Sequence, residues 1–199
     1  MENARFYIEQ ISFCSCLDSK LDFMPMLLRR KLSKLDKLAL SSIEKVYDNN
    51  IEEFVFSSQY GEWERLFSII KQYTESNEVS PISFSASVHN YLAGIISLVK
   101  HSTIPYYSIS AGENSLSSGL IKSIISKKRV LYCCADNFEK EQSVAMVISP
   151  IYKKGSTCVE FCKTFSENNG EEYDTFKNFI DGSILCYKTN FGEFYVARD

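Results

Sequence analysis

Hydrophobic residues recur along the chain at two spacings, which predict alternating strands and helices. Apolar positions three and four residues apart are typical of helices, and short continuous apolar runs are typical of strands covered on both faces. Alternation of this kind favours a layered α/β fold with a partly parallel sheet. Strands are predicted over Phe6–Phe13, Glu53–Ser58, Pro105–Ser110, Val130–Ala135, Ser143–Ile151 and residues 156–163, with short terminal strands or turns at Leu185–Tyr187 and Phe194–Val196. Helices are predicted over Pro25–Val46, Trp63–Thr74, Ser87–Lys100, from Ser115 onwards and over Tyr173–Ile180.

Two of these helices carry an apolar face that the periodicity assigns to the core. In the middle of a third, Gly94 is expected to let another backbone approach, from a neighbouring helix or a partner subunit, because glycine there costs about 1 kcal/mol relative to alanine. The apolar face of the predicted helix Trp63–Thr74 consists of Trp63, Leu66, Phe67, Ile70 and Tyr73. The apolar face of the helix from Ser115 onwards consists of Leu116, Leu120, Ile121, Ile124 and Ile125.

Length and composition predict one globular domain. At 199 residues the chain can bury a sizeable core, and the segment from 138 to 199 is a less well defined extension of it. No apolar run is long enough to cross a bilayer, and the N-terminus lacks a secretory signal, so a cytoplasmic location is predicted. A net charge of −3 and a pI near 5.6 give no general reason to bind nucleic acid.

Neither the cysteines nor the basic residues indicate a metal or cofactor site. The seven cysteines include no CxxC pair, so they are interpreted as reduced, small apolar residues. The basic cluster Arg29, Arg30 and Lys31 is either a solvated helix face or a docking site for an acidic protein.

The turn Ser110–Ser115 is the most suggestive place for chemistry. It joins a predicted strand to a predicted helix, where α/β enzymes often hold a nucleophile, and its most prominent side chain is Glu113. Alternatively, Glu113 occupies the first turn of a helix, where the dipole favours an acid. Of the two histidines, His89 is structural or lines a site, and His101, at a predicted helix end, is solvated or complements the helix dipole. The sequence holds no GxSxG, HExxH, P-loop or GxGxxG, so a self-contained hydrolase or nucleotide enzyme is poorly supported.

Several motifs in order resemble the N-terminal half of β-ketoacyl synthases. The resemblance covers Pro25 to Asn137 and is strongest to the short chain-length-factor-like proteins of aryl polyene gene clusters. It implies a thiolase-like half-fold, in which a layered mixed sheet is flanked by helices. The motifs are Arg29–Ser33, Phe56–Glu62, Ser87–Gly94, Tyr107–Glu113 and Leu116–Asp136.

The same resemblance implies that the chain lacks the chemistry of a condensing enzyme. It places Glu113 where those synthases have their nucleophilic cysteine, and a carboxylate cannot carry an acyl chain as a thioester. Their two catalytic histidines lie in the C-terminal half, and no histidine follows His101 here. The implied role is a chain-length factor that forms a heterodimer with an active β-ketoacyl-ACP synthase and shapes its acyl tunnel, with acyl carrier protein delivering substrate to that partner.

The resemblance also assigns an interface. The strand Pro105–Ser110 would pair with its counterpart across a dimer axis, and the basic cluster at Arg29, Arg30 and Lys31 would meet the carrier protein. Two alternatives stay open: an enzyme that uses Glu113 as a general base or decarboxylation helper, and a stand-alone acyl- or protein-binding scaffold. The candidate tunnel or interface residues are Glu113, Ser110, Gly112, Tyr106, Tyr107, Ser108, His89 and Asn90.

Overall fold

The computed structural model describes residues 4–16, 21–164 and 172–197. Its strands are β1 (Ala4–Cys14), β2 (Glu53–Ser57), β3 (Tyr106–Ile109), β4 (Val130–Asp136), β5 (Gln142–Ser149), β6 (Thr157–Cys162), β7 (Cys186–Thr189) and β8 (Gly192–Val196). Its helices are α1 (Met26–Arg29), α2 (Lys34–Ile43), α3 (Trp63–Ser76), α4 (Pro81–Ser85), α5 (Tyr91–Lys100), α6 (Ser115–Ile125) and α7 (Glu172–Ile180). Each predicted strand is present, with boundaries shifted by a few residues. The first three residues, on which the predicted location partly depends, lie outside the described ranges.

The described strands form one eight-stranded mixed sheet in the order β3-β2-β4-β5-β1-β6-β8-β7. Strand β2 runs parallel to both β3 and β4, and the pairs from β4 onwards are antiparallel. Helices α2 and α5 cover one face, while α6 and α7 cover the other. The central strands β2, β4 and β5 are therefore buried on both sides, which explains their continuous apolar sequences.

The long helix predicted from Pro25 is instead two helices, because Ser33 starts a new one. The Ser33 hydroxyl accepts a hydrogen bond from the Asp36 N–H, and the Asp36 carboxylate accepts one from the Ser33 N–H, both at 2.9 Å. This capping box satisfies the first backbone donors of α2 and separates it from α1. The predicted helix over Ser87–Lys100 is likewise shorter, since α5 begins only at Tyr91.

The predicted burial of α3 is wrong. Leu66, Phe67, Ile70 and Tyr73 are each more than half exposed, and Ile69 is the buried residue of this helix. The physical reason is that α3 packs against the short helix α4 rather than against the sheet. Trp63, at its start, is half-buried and packs edge-on against Phe138. A regular apolar stripe is therefore left uncovered by the described residues.

Helix α6 follows its predicted orientation more closely. Leu116 and Leu120 are fully buried, and Ile121 and Ile124 pack against the same cluster. Ile125, the last residue of the helix, was also predicted to be buried and is instead half-exposed, because it borders an open cavity that Phe6 and Ile148 also line. Among the described helices, none combines the length and apolar character that a bilayer crossing requires.

The described part of the segment after residue 137 belongs to the main sheet. Strands β5, β6, β7 and β8 extend it, and α7 packs beside α6. Phe176, Phe179, Tyr187 and Phe194 form an aromatic cluster beneath α7, with neighbouring ring centroids 5.3 to 6.3 Å apart. Residues 165–171 of this segment lie outside the described ranges.

Two helical glycines differ sharply in their surroundings and provide a matched test of the packing. A Cβ at Gly119 would lie 2.8 Å from the Tyr132 hydroxyl oxygen, whereas a Cβ at Gly94 would meet no atom within 4 Å. The expected neighbouring helix at Gly94 is thus not found within the described residues; approach by a partner subunit stays a prediction. Tyr132 cannot yield easily, because its hydroxyl is hydrogen-bonded to Ser57 and to the Leu116 carbonyl.

We expect Gly119→Ala to lower the free energy of unfolding by about 1–3 kcal/mol, because the added methyl overpacks the Tyr132 ring. Gly94→Ala should raise it by about 1 kcal/mol through helix propensity. Urea denaturation of the two variants checks both signs. Equal effects at the two positions would contradict the described packing.

Candidate functional site

The junction between β3 and α6 is a tight turn, as the sequence predicts. Gly112 adopts a left-handed φ of +57°, which glycine tolerates best. The Ser115 hydroxyl accepts the Ala111 N–H at 3.0 Å and lies 2.7 Å from the Gly112 carbonyl and 3.2 Å from that of Ser58. The Ser115 hydroxyl therefore closes the turn through Ala111 and Gly112 and connects it to Ser58, the residue after β2.

Glu113 projects from this turn as an exposed side chain. It precedes Asn114, the residue at the cap position of α6, so it does not lie in the first helical turn. It borders an open cavity of about 470 Å³. The polar lining of this cavity includes Gln59, Tyr60, Glu113, Asn114, Asp136, Glu139, Lys140, Glu172, Tyr173 and Asn190.

The N-terminus of α6 is capped by Glu172, a residue that the sequence analysis did not single out. Its Oε2 accepts the N–H groups of Leu116 at 3.0 Å and Ser117 at 3.2 Å. Burial raises the pKa of Glu172, while the hydrogen bonds from Ser117 and Leu116 act in the opposite direction. Asn114 does not cap the helix, because its side-chain oxygen accepts a bond from Asn190 instead. No local motif reveals this cap, since more than fifty residues separate the two partners.

A second carboxylate, Asp136, organises the loop that follows β2. It accepts hydrogen bonds from the Ser58 hydroxyl at 2.7 Å, the Gln59 N–H at 2.9 Å and the Tyr60 N–H at 3.0 Å. Burial raises the pKa of Asp136, opposed by the hydrogen bonds from the Tyr60 and Gln59 N–H groups. The Ser110 hydroxyl donates to the Gln59 carbonyl at 3.3 Å, so this loop also holds the end of β3.

His89 packs against this loop. A Cβ at Gly61 would lie 2.7 Å from the His89 Nδ1, so the imidazole ring occupies the space that this glycine leaves free. The His89 carbonyl accepts the Ser108 hydroxyl at 3.1 Å. His89 is not among the residues lining the Glu113 cavity. Asn90, beside it, is exposed and makes no capping bond to α5.

Strand β3 forms one outer edge of the described sheet. Tyr106 and Tyr107 are 43% and 44% exposed. The Lys122 ammonium lies 3.7 Å from the centroid of the Tyr107 ring and donates to Glu53 at 2.9 Å. The edge therefore presents the rings of Tyr106 and Tyr107, and the Lys122 ammonium lies against the Tyr107 ring.

The basic cluster lies away from the cavity. Arg29 pairs with Asp22 at 2.9 Å, and Arg30 contacts the sulfur of Met26. The Lys31 carbonyl accepts a 2.7 Å hydrogen bond from Arg65. None of the three basic residues lines the cavity beside Glu113.

The cysteines nearest the turn are buried thiols. Cys134 lines the cavity, and Cys133 lies on the opposite face of β4. Burial raises the pKa of Cys133 to about 12 and that of Cys134 well above its usual range. Because the thiolate is the nucleophilic form, neither is poised to react at neutral pH. Among the described residues, no group of three His, Cys, Asp or Glu side chains is placed to hold a metal ion.

The mixed sheet, the strand–turn–helix junction and the two covering helix layers define a thiolase-like α/β fold of the ketosynthase type. One chain of the complex described as "Ketosynthase (ApeO) in Complex with its Chain Length Factor (ApeC) from Xenorhabdus doucetiae" superposes with a TM-score of 0.73 at 19% identity, covering 97% of this chain and 99% of that one. The family model "Beta-ketoacyl synthase, N-terminal domain" matches residues 9–157. The chain belongs to that family.

Two further solved structures share the fold. "The ishigamide ketosynthase/chain length factor" matches with a TM-score of 0.50 at 14% identity, covering 60% of this chain and 44% of that one. "AntDE:AntF (apo): type II PKS acyl-carrier protein in complex with its ketosynthase bound to the hexaketide" matches with a TM-score of 0.63 at 11% identity, covering 89% and 75%. A search of curated protein sequences found no match.

Two buried carboxylates, Asp36 and Glu62, share the guanidinium of Arg65 near the start of α3. Arg65 donates to Asp36 at 2.9 Å and pairs with Glu62 at 3.1 Å. The Ser33 hydroxyl donates to Glu62 at 2.8 Å. Burial, together with the charge of Asp36, raises the pKa of Glu62 to about 8, and burial also raises that of Asp36. The pair therefore retains a proton that the unfolded chain would release at neutral pH.

This proton makes stability depend on pH. Between the ordinary glutamate value of about 4.3 and the raised value, the folded chain binds more protons than the unfolded one, so the free energy of unfolding should fall as pH rises. The slope is at most about 1.4 kcal/mol per pH unit for Glu62. We expect Glu62→Gln to flatten this slope between pH 5 and pH 8, measured by denaturation at several pH values. The exposed Glu75→Gln is the control, and an unchanged slope in Glu62→Gln would contradict the assignment.

Proposed function

We propose that this chain is a non-catalytic ketosynthase-like partner subunit, a chain-length factor that forms a heterodimer with an active β-ketoacyl-ACP synthase. It shapes the acyl tunnel of that synthase in aryl polyene or related fatty-acid-like polyketide synthesis. Acyl carrier protein delivers substrate to the active partner. In this proposal residues 1–199 act as one β-ketoacyl-synthase-like N-terminal domain, with residues 138–199 completing it.

The observation that carries the proposal is the exposed carboxylate of Glu113 at the turn between β3 and α6. The turn resembles the nucleophile turn of condensing enzymes, so Glu113 would stand where a thiol forms the acyl thioester in those enzymes. The buried Cys134 cannot substitute, because burial raises its thiol pKa. His89 is held against Gly61 rather than in the cavity beside Glu113. Carbon–carbon bond formation therefore depends on another subunit.

The edge of β3 supports the pairing part of the proposal. An unpaired strand edge offers backbone donors and acceptors to a second chain. Tyr106 and Tyr107 add an exposed aromatic surface of the kind enriched at interfaces. The three similar structures are described in their printed names as ketosynthases in complex with, or together with, a chain length factor or a carrier protein.

The pairing is tested directly with purified proteins. We expect this chain to bind a β-ketoacyl-ACP synthase that retains its cysteine, and Tyr106→Lys to weaken the complex at least tenfold, because a charge on the strand edge opposes pairing. Isothermal titration calorimetry measures both affinities. Tyr152→Lys, an exposed tyrosine outside the strands, serves as the control. Failure of the unmodified chain to bind would favour a stand-alone scaffold.

Removing the acid distinguishes tunnel shaping from catalysis. In a reconstituted assay with synthase and acyl carrier protein, we expect Glu113→Ala to leave turnover within about twofold and to change the length distribution of the products, read by mass spectrometry. The effect arises because the cavity wall changes while no reacting group is lost. Glu78→Ala, at an exposed acid just after the end of α3 that does not line the cavity, should change neither. Abolished turnover in Glu113→Ala would instead indicate a general base.

A further inference from the structure

Helices α3 and α4 together present an apolar surface, here called the α3–α4 face. Its six large side chains are each more than half exposed, and Phe67 reaches 67%. A groove of about 470 Å³ between the helices is lined by Ile69, Ile70, Tyr73, Val79, Pro81 and Phe84. No described residue covers it. The α3–α4 face consists of Leu66, Phe67, Ile70, Tyr73, Ile82 and Phe84.

Arg65 of α3 connects this face to the neighbouring segments of the chain. The Arg65 guanidinium donates to the Ala86 carbonyl at 2.8 Å and to the Lys31 carbonyl at 2.7 Å. It also lies 4.8 Å from the centroid of the Tyr91 ring, and its side chain is only 16% exposed. One residue of α3 thus ties together the segments that follow α1 and α4 and the start of α5. The apolar residues above it form a preorganised surface, which lowers the entropic cost of binding.

The α3–α4 face is connected to the edge of β3 through the segment that follows α4. Strands β2 and β3 are parallel, so their carboxyl ends meet at one edge of the sheet, and α3 begins just beyond the end of β2. The segment between α4 and α5 contacts β3 directly, through the bond from the Ser108 hydroxyl to the His89 carbonyl. A protein that pairs with β3 therefore lies within reach of this face.

Strand β3 alone is too small for a stable complex. It has four residues, whereas stable interfaces bury about 800 Å² on each partner. A fully buried aromatic side chain contributes about 150–250 Å², so each half-exposed aromatic on the face can add on the order of 100 Å². Contiguous apolar surface of this size on a soluble protein typically marks an interaction site.

We infer that the α3–α4 face is the second part of the binding surface for the partner synthase subunit, and that this subunit presents an apolar, largely uncharged patch to it. The inference rests on the proposed function. The six side chains of the face carry no charge, so they suit an apolar protein surface better than an acidic carrier protein, which would require complementary cations.

The test compares two double variants in the same binding experiment. Phe67→Ser/Phe84→Ser removes the two most exposed aromatic side chains of the face. Leu185→Ser/Ile151→Ser removes two equally exposed apolar residues outside the face, at 72% and 70% exposure. All four positions are exposed, so both proteins should remain folded, which thermal unfolding checks. The probe is the purified synthase, titrated calorimetrically.

We expect the Phe67/Phe84 variant to bind the synthase at least about 30-fold more weakly, as loss of interface hot spots does, and the Leu185/Ile151 variant to stay within about threefold of the unmodified chain. If the unmodified chain binds and the Phe67/Phe84 variant matches it, the inference fails while the proposed function stands. If the unmodified chain does not bind, both fail. The inference is also overturned if the face instead mediates self-association of this chain or binds isolated acyl carrier protein, detected by sedimentation and by titration.

Discussion

The hydrogen bonds accepted by Asp136 hold together the end of the sheet that carries the turn at Glu113. A loop that leaves a buried strand exposes backbone donors that must find partners, and one carboxylate at the end of β4 accepts two of them together with the Ser58 hydroxyl. Once Gln59 is fixed, its carbonyl receives the Ser110 hydroxyl and so positions the end of β3. The carbonyl of Ser58, in the same loop, meets Ser115 at the start of α6. The position of Glu113 therefore depends on the hydrogen bonds that the Asp136 carboxylate accepts.

The sequence predicted the strands because a central strand buried on both faces needs a continuous apolar run, as Val130–Ala135 illustrates. It predicted the turn Ser110–Ser115 because this segment lies between a predicted strand and a predicted helix, and the structure holds Gly112 there at a φ of +57°. The burial of α3 could not be predicted correctly, since periodicity identifies an apolar face but not what covers it. Ser33 divided the predicted first helix because a capping residue within a periodic pattern can start a new helix.

The cap supplied by Glu172 lay beyond sequence reasoning for a different reason. Side-chain capping is usually found within three residues of a helix start, and here it comes from α7, far along the chain. The acidic pair at Asp36 and Glu62 was equally hidden, because each acid is ordinary in its local sequence and becomes unusual only when both meet Arg65. Long-range electrostatics of this kind become visible only when the fold brings the groups together.

The cap has a consequence for any cysteine placed at this turn. A cysteine at the start of a helix is activated when the free N–H groups and the dipole stabilise its thiolate. At α6 two of those N–H groups are already hydrogen-bonded to Glu172. Glu113→Cys would therefore install a sulfur beside a helix end with few donors left to offer, and the thiol would keep its proton. A thiolate at this turn would therefore require a change in α7 as well, because Glu172 already accepts the Leu116 and Ser117 N–H groups.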